Sequence, residues 1–238
     1  MSISGFIGDR LAAAAGRLAA AVLPQHCLLC AAPAGAGPLC PACRDTLPAL
    51  PSPRCPVCAA PSPGGTSCGT CLKEVPHFDL SIAAYRYTYP VDKLVQALKY
   101  QHRLPLADFF AEILLQGARP AGDAIVPLPL SPQRLRERGF NQAVEIARPL
   151  ARRLGLPLLT GIVSRPQDMP PQATLPWQAR RKNVRGCFLG TTDLSGRALI
   201  VVDDVMTTGA TLDEFARTLK KHGAARVSNW VLARALKE

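Results

Sequence analysis

The chain has 238 residues, which is enough for one large domain or for an ordinary domain with a smaller one beside it. Apolar residues make up 48% and charged residues 19%, which excludes a wholly disordered chain. The formal charge is +11, and the segment Ser131–Arg185 carries +8 of it, with eleven Lys and Arg against three Asp and Glu. A basic region of this kind predicts a polyanionic ligand.

The first 23 residues are rich in alanine, with apolar residues at helical spacing and Asp9, Arg10 and Arg17 on the other side. We expect residues 1–23 to form an amphipathic helix that packs on the protein itself; binding to a lipid surface is the alternative. A signal peptide is not expected, because Arg17 interrupts the apolar run. The sequence has no run of 18 uncharged apolar residues, so we expect no membrane span.

Eight of the nine cysteines form four C-x-x-C pairs, and all four positions of the first two pairs recur after a shift of 28 residues. The pairs are Cys27/Cys30, Cys40/Cys43, Cys55/Cys58 and Cys68/Cys71. The repeat extends beyond sulfur, since CLLCAAP at Cys27–Pro33 matches CPVCAAP at Cys55–Pro61. We interpret the pattern as an internal duplication of a metal-binding hairpin.

Four thiolates around one ion leave no position open for a substrate, so we predict two zinc ions per chain, both structural. We favour a sequential grouping, in which the first four cysteines hold one ion and the last four the other. An interleaved grouping is also open. A disulfide framework is the alternative, but repeated C-x-x-C pairs without a convincing signal peptide favour zinc and a cytoplasmic protein. Cys187 has no cysteine or histidine near it in sequence and is expected in the core.

Residues 24–78 hold eleven of the 23 prolines and show little apolar periodicity. Such a segment does not fold by hydrophobic burial alone, so metal ligation is expected to stabilise it. We therefore expect three parts: a helix over residues 1–23, a double zinc ribbon over 24–78 and a second domain over 79–238.

The pattern after residue 78 alternates between strands and helices. Strands are predicted at Ser81–Tyr87, Ala124–Val126, Ala198–Val202 and Arg226–Leu232. Helices are predicted at Val91–Lys99, Leu104–Gln116, Gln142–Leu154 and Thr211–Lys221. Pro149 is expected to bend or shorten the third helix, and residues 164–176 predict a long mobile loop. The alternation indicates an α/β fold whose mostly parallel sheet has helices on both faces.

The segment Ala198–Leu212, ALIVVDDVMTTGATL, carries the clearest chemical signal. A buried strand ends in Asp203 and Asp204, and the turn Thr207-Thr208-Gly209-Ala210-Thr211 opens a helix. Ligands of open α/β sheets bind beyond the carboxyl ends of the strands, and a glycine turn at a helix N-terminus suits a phosphate. Because two carboxylates repel phosphate, we expect them to face sugar hydroxyls and, through these, a magnesium ion.

This segment resembles the 5-phosphoribosyl-1-diphosphate (PRPP) signature of type I phosphoribosyltransferases. From about Pro24 onward the chain is also similar to the ComF/ComFC family, described as competence protein F. The motifs that carry this second resemblance are the cysteine knuckles, ALKY around Lys99, VPLP at Val126–Pro129, RERGFNQA at Arg136–Ala143, and Gln172, Arg180 and Asn183. The resemblance implies a double zinc ribbon followed by a type I phosphoribosyltransferase domain.

The resemblance also implies a reaction, in which a nitrogen nucleophile displaces diphosphate from the ribose of PRPP. Asp203 and Asp204 would stabilise positive charge on the ribose and hold its 2′- and 3′-hydroxyls. The turn Thr207–Thr211 would bind the 5′-phosphate, and Mg²⁺ with arginines would neutralise the leaving diphosphate.

Further binding candidates lie outside the signature. Leu128 and Pro129 stand where type I enzymes have a pyrophosphate loop, and we expect a cis peptide bond there. Lys99 is a weaker candidate, because a lysine at a helix end usually complements the helix dipole. Asn141 either contacts the ligand or caps the following helix. Arg180 is expected to close over the substrate or, with Arg181 and Lys182, to form a nucleic-acid or solvent face.

Arg134, Arg136 and Arg138 alternate along the chain before Gly139. On a strand they would share a face, and on a loop they would converge on the diphosphate, with Arg138 the strongest candidate. A solvated basic surface is the alternative for Arg134 and Arg136.

Three classes of function stay open. The protein is a phosphoribosyltransferase with an unidentified acceptor, a PRPP sensor without transfer, or a factor that handles single-stranded DNA or binds a competence protein during DNA uptake. The scarcity of aromatic residues, 5% of the chain, offers few platforms on which bases stack.

Overall fold

The computed structural model describes residues 25–166 and 184–236, which divide between Leu47 and Pro48 into two compact units. The expected helix over residues 1–23 lies outside the described residues, as do Gln172, Arg180 and Asn183 and most of the expected loop over 164–176. None of the described helices has the length and apolar character needed to span a bilayer.

The first unit contains one cysteine hairpin. Strand β1 (Gln25–His26) pairs antiparallel with β2 (Pro33–Gly35), and helix α1 (Pro41–Asp45) follows directly after Cys40, its N-cap. Pro41 occupies the first turn of α1, where its missing N–H costs no hydrogen bond.

The second unit begins with the other cysteine hairpin, whose helix α2 spans Gly69–Lys73, and continues into alternating strands and helices. The strands are β3 (Leu80–Arg86), β4 (Ala124–Pro127), β5 (Val163–Ser164), β6 (Leu189–Gly190), β7 (Ala198–Met206) and β8 (Arg226–Arg234). The helices are α3 (Val91–Gln101), α4 (Pro105–Gln116), α5 (Pro132–Arg138), α6 (Gln142–Leu154) and α7 (Ala210–Lys221).

Four parallel strands form the main sheet in the order β3-β8-β7-β4. Because all four strands run the same way, their carboxyl ends meet at one edge, which brings Arg86, Pro127, Met206 and Arg234 to that edge. The α/β fold with a parallel sheet is therefore confirmed.

Both faces of the sheet are covered, as expected for parallel strands. On one face Leu199 and Val201 of β7 join a buried cluster with Phe215 and Leu219 of α7. Successive side chains of a strand point to opposite faces, so Ile200 faces the other side, where α6 packs on β7 and β4 and α4 packs on α6.

The structure differs from two expectations for the helices and strands. Strand β7 continues to Met206, so Asp203 and Asp204 lie within it and not after it, because β8 pairs with this part of β7 as well. Of the two effects expected of Pro149, bending or shortening, shortening is not seen: helix α6 runs to Leu154, because its packing on β7 and β4 outweighs one lost hydrogen bond.

A third expectation concerned the peptide bond between Leu128 and Pro129, and it is wrong. The cis bonds of the described residues precede Pro53 and Pro90. The trans form is the lower in energy by about 0.5–1 kcal/mol for an X–Pro bond, and the turn after β4 adopts it.

Candidate active site and metal centres

The eight paired cysteines form two clusters in the sequential grouping, so the interleaved alternative is excluded. Cluster 1 is Cys27, Cys30, Cys40 and Cys43, and cluster 2 is Cys55, Cys58, Cys68 and Cys71. Within each cluster the sulfur atoms lie within 4.8 Å of one another. None of the nine cysteines is in a disulfide, and Cys187 is buried as expected.

The donor geometry fits zinc. Tetrahedral Zn²⁺ with Zn–S bonds of about 2.3 Å requires sulfur atoms about 3.8 Å apart. The Cys30 and Cys40 sulfurs are 3.7 Å apart, and the Cys58 and Cys68 sulfurs are 3.6 Å apart. Each cluster would hold one ion with four thiolates, which leaves no open position for chemistry.

A turn between β7 and α7 forms the centre of the second candidate site. Gly209 caps α7 with a φ of +82°, and the Ala210 N–H donates to Thr208 Oγ1 at 3.1 Å. A Cβ at residue 209 would stand 2.7 Å from Met206 Cε, the movable end of a side chain, so the position favours glycine chiefly for its positive φ. The N–H groups of the first turn of α7 then face outward, as in phosphate-binding helices.

A cavity of about 600 Å³ opens at the carboxyl edge of the sheet beside this turn. It brings together nine of the predicted site residues: Lys99, Leu128, Pro129, Arg138, Asp203, Asp204, Thr207, Gly209 and Thr211. Thr208, Ala210 and Asn141 border other cavities instead. The site thus draws on α3, the turn after β4, α5, β7 and the start of α7.

The two adjacent aspartates have different surroundings. Lys99 Nζ forms an ion pair with Asp204 Oδ2 at 2.6 Å, and both side chains are largely buried. Burial lowers the pKa of Lys99, but the charge of Asp204 and its hydrogen bond outweigh burial and raise the pKa above its ordinary value. Burial, followed by the charge of Asp204, raises the pKa of Asp203 well above its usual range. Asp204 is therefore held in an ion pair, whereas Asp203 is a buried carboxyl group whose ionised form is disfavoured by its surroundings.

The three alternating arginines lie on a helix, so both backbone expectations for them were wrong. Pro132 starts α5 and Gly139, with a φ of +76°, ends it. Arg134 and Arg138 are one turn apart and both line the cavity, whereas Arg136 does not. Arg138 Nη1 donates to Gln142 Oε1 at 3.0 Å, and its guanidinium carbon lies 5.3 Å from the Tyr100 ring centroid.

The Asn141 side chain bonds backbone groups of two segments next to the cavity. Its Oδ1 accepts the Ala143 N–H at 2.9 Å and so caps α6, and its Nδ2 donates to the Leu128 carbonyl at 3.0 Å. The helix cap and the turn that carries Leu128 and Pro129 are thereby joined by one side chain. These contacts match the capping alternative.

Sequence reasoning missed Arg165, which follows β5 and lines the same cavity. The residue is 7% exposed, its guanidinium carbon lies 5.7 Å from the Phe188 ring centroid, and its Nε has no hydrogen-bond partner among the described residues. A buried guanidinium with an unsatisfied N–H is costly, so this geometry suits an anionic ligand. In the sequence Arg165 is one basic residue among eleven, with no motif around it. Tyr87, Tyr100 and Gln142 were missed as well.

Two family models match the chain: the double zinc ribbon domain over residues 18–72 and the phosphoribosyl transferase domain over residues 141–238. The DNA utilization protein YhgH of Salmonella typhi is 35% identical over 69% of this chain and 76% of its own length. Competence protein F of Haemophilus influenzae is 33% identical over the same shares of the two chains.

Among solved structures, glutamine phosphoribosylpyrophosphate amidotransferase from B. subtilis is similar over 52% of this chain and 25% of that chain, with 20% identity and a TM-score of 0.37. The matches to the relatives and to both family models confirm the resemblance seen in the motifs. The chain belongs to the ComF family of competence protein F and its relatives, with a double zinc ribbon followed by a phosphoribosyltransferase domain.

Proposed function

We propose that this protein binds PRPP together with Mg²⁺ and transfers the phosphoribosyl group to a nitrogen acceptor, releasing diphosphate. One observation carries the proposal: two buried carboxylates, Asp203 and Asp204, share a cavity with a glycine turn at a helix N-terminus and with three arginines. The turn and the arginines suit phosphates, whereas the carboxylates suit a sugar on which positive charge develops.

We expect PRPP to bind in the orientation that matches these charges. The turn Thr207–Thr211 would bind the 5′-phosphate, and the ribose would lie over Asp203 and Asp204. The diphosphate would then extend toward Leu128–Pro129 and the arginines of α5. Lys99 would fix the direction of the Asp204 carboxylate, because the two side chains form a largely buried ion pair at 2.6 Å.

The donor groups also fit Mg²⁺, which prefers oxygen ligands and usually binds through one or two carboxylates and substrate phosphates. Asp203, whose carboxyl group forms no ion pair among the described residues, is the stronger candidate ligand, because a cation relieves its repulsion with Asp204. When bound, the ion would supply positive charge to the diphosphate.

The transfer would break the bond between ribose C1 and the diphosphate oxygen, and the electron pair would leave on diphosphate. The lone pair of the acceptor nitrogen would form the new bond to C1, and the nitrogen would lose its proton to diphosphate or water. Asp203 and Asp204 would stabilise the positive charge of the ribose between these two events. Fixed charges of this kind lower a barrier without rearranging during the reaction.

Calorimetry with PRPP tests the binding step. The wild-type protein is expected to bind PRPP more tightly with Mg²⁺ than without it, and Gly209→Val is expected to abolish binding because a branched side chain fills the turn. Gly155→Val is the matched control: Gly155 also has a positive φ, of +66°, but a Cβ there meets nothing within 4 Å, and the residue caps α6. Equal PRPP affinity in all three proteins would place the phosphate elsewhere.

Release of diphosphate from PRPP in the presence of ammonia and of candidate amine acceptors tests the transfer step. Transfer predicts release that depends on the acceptor and is lost in Asp203→Asn. Binding without release under any of these conditions would instead support the PRPP sensor.

A role in handling single-stranded DNA is a second candidate function, because Ser131–Arg185 carries +8 and curated relatives are named for competence and DNA utilization. Electrostatic binding predicts that the affinity for an oligonucleotide falls steeply as salt is raised from 50 to 200 mM, roughly 10³-fold or more for six or more phosphate contacts. Affinity that does not change with salt would contradict it.

A further inference from the structure

Arg234, the last residue of β8, is a buried arginine held mainly by backbone carbonyl groups, and it is only 5% exposed. Its Nε donates to the Cys58 carbonyl at 3.0 Å. Its Nη1 donates to the carbonyls of Met206 at 3.1 Å, of Ala235 at 2.6 Å, and of Thr207. One side chain therefore joins cluster 2, through Cys58, to the turn that begins at Met206 and Thr207.

The cysteines of cluster 2 also act on the positive charge of Arg234. Four thiolates around one Zn²⁺ carry a formal charge of −2. Burial lowers the pKa of Arg234, and the charges of Cys58, Cys68 and Cys71 oppose that effect. Arg234 forms no ion pair with a carboxylate among the residues that the structure describes, so a zinc-loaded cluster 2 would place negative charge beside a cation that is costly to bury alone.

Arg234 is not alone in holding the turn: the Ala235 N–H also donates to the Met206 carbonyl at 3.0 Å, and Met206 belongs to the same buried cluster as Phe78 and Cys58. A cavity of about 320 Å³ separates cluster 2 from the turn, and Phe78, Met206, Thr208 and Arg234 line it. Phe78 approaches Gly209 closely, since a Cβ built there would lie 3.9 Å from the ring. Arg234 differs from these contacts because its guanidinium bonds the Thr207 carbonyl and the Cys58 carbonyl at once.

We propose that Arg234 is a positioning residue that makes the conformation of the turn Met206–Thr211 depend on the metal in cluster 2. The metal fixes the Cys58 carbonyl, Arg234 bridges from it, and the carbonyls of Met206 and Thr207 are held so that the following N–H groups face the cavity. Cluster 1 belongs to the other compact unit and serves as the comparison. The effect on PRPP affinity rests on the proposed function, whereas the effect on the turn does not.

The repeat supplies a matched pair of variants for the full-length protein, because Cys40 and Cys68 are equivalent positions, 28 residues apart. Both Cys40→Ser and Cys68→Ser are expected to lose one zinc. Hydrogen exchange of the amides in 206–211 is expected to become at least tenfold faster in Cys68→Ser and to stay within twofold of wild type in Cys40→Ser. The Kd for PRPP is expected to rise at least tenfold in Cys68→Ser only.

Arg234→Lys tests the bridge itself, because an ammonium lacks the rigid fork that bonds two segments at once. The variant is expected to keep two zinc ions yet show faster exchange at 206–211 and an approximately tenfold higher Kd for PRPP. Arg226→Lys, an exposed residue at the start of the same strand, is its control and is expected to match wild type.

Equal exchange at 206–211 in the two cysteine variants, or wild-type exchange in Arg234→Lys, would overturn the proposal. If Arg234→Lys does not fold, the cysteine pair decides alone; if Cys68→Ser does not fold, Arg234→Lys and its control decide. If the variants show the expected exchange pattern but the wild-type protein binds no PRPP, the positioning role of Arg234 stands and the proposed function is refuted.

Discussion

The cysteine clusters and the cavity beside the sheet both gather several ionisable groups into a small volume, with opposite consequences for folding. In the clusters the gathered groups are the ligands that hold a short, proline-rich segment together. In the cavity they oppose folding, because Asp203 and Arg165 are buried without ion-pair partners among the described residues. Groups that are retained at a cost to stability indicate a ligand site, whereas groups that supply the stability indicate a structural one.

The clusters show how closely a repeat in sequence becomes a repeat in structure. The Cys27 N–H donates to the Ala32 carbonyl at 2.8 Å, and the Cys55 N–H donates to the Ala60 carbonyl at 2.7 Å. Ala31 and Ala59 both adopt a positive φ, of 60° and 58°. Because the same turn presents the sulfurs in both copies, the metal ligands are local in sequence and the structure follows from their spacing.

Metal removal is expected to give the largest effect. Structural zinc sites of this kind contribute roughly 10–16 kcal/mol of apparent binding free energy, so a strong chelator should unfold both hairpins. Elemental analysis is expected to give two zinc ions per chain, and hydrogen exchange after chelation should report the loss of the hairpins. Cys187→Ala is the control and should keep both ions. Less than about one zinc per chain in freshly purified protein would contradict the assignment.

Asp204→Asn is expected to give the next largest effect, because it leaves Lys99 as a buried cation without its partner. Removing one member of a buried ion pair typically costs about 3–5 kcal/mol, and the free energy of unfolding in urea should fall by about 3 kcal/mol. The double variant Lys99→Met with Asp204→Asn should recover most of that loss without recovering PRPP binding.

An equal loss of stability in the single and double variants would mean that the unpaired Lys99 is not the cause of that loss. The same reasoning applies to the double variant Asp203→Asn with Asp204→Asn. It is expected to lose PRPP binding and, because Lys99 is left unpaired, to be less stable than the wild type.

The PRPP signature, the cysteine spacing and most strands and helices could be predicted, because each depends on neighbours a few residues away. The contacts that complete the site could not. Lys99 meets Asp204, and Arg234 meets Cys58, across large separations in the chain. Periodicity indicates which residues share a face of one element, but not which elements bring their faces together. Helix α5 was missed for a different reason, since seven residues with four charges show no apolar face.

Arg165→Met is expected to have a smaller effect on stability and a clear one on binding. The change removes a buried guanidinium whose Nε has no hydrogen-bond partner among the described residues, and methionine leaves an apolar side chain beside Phe188. A charge-assisted hydrogen bond contributes about 1.5–3 kcal/mol, so the Kd for PRPP should rise by roughly 10- to 100-fold.

Calorimetry beside urea unfolding checks this prediction. Arg148→Met is the control from the same basic segment, because Arg148 is exposed and pairs with Glu145. It should leave the Kd within about twofold of wild type. A large loss of stability in Arg165→Met with an unchanged Kd would make Arg165 a structural residue instead.

Asp203→Asn is expected to give the smallest change in stability, and its sign separates the cavity from the clusters most directly. Burial and the charge of Asp204 raise the pKa of Asp203 above its value in the unfolded chain, which is near 3.9. The folded protein therefore binds this proton more tightly, so the stabilising contribution is complete below about pH 4 and is lost as the pH rises through the folded pKa. Asparagine does not ionise, and its Oδ1 can still accept the Asp204 N–H that Asp203 Oδ1 accepts at 2.9 Å.

Urea unfolding across the pH range should show that Asp203→Asn is more stable than wild type at neutral pH, with the difference shrinking toward pH 4. A cysteine variant in either cluster should instead be less stable than wild type at neutral pH. If Asp203→Asn were less stable than wild type at neutral pH, the Asp203 charge would support the fold, as the thiolates do. The proposed difference between the cavity and the clusters would then be wrong for Asp203.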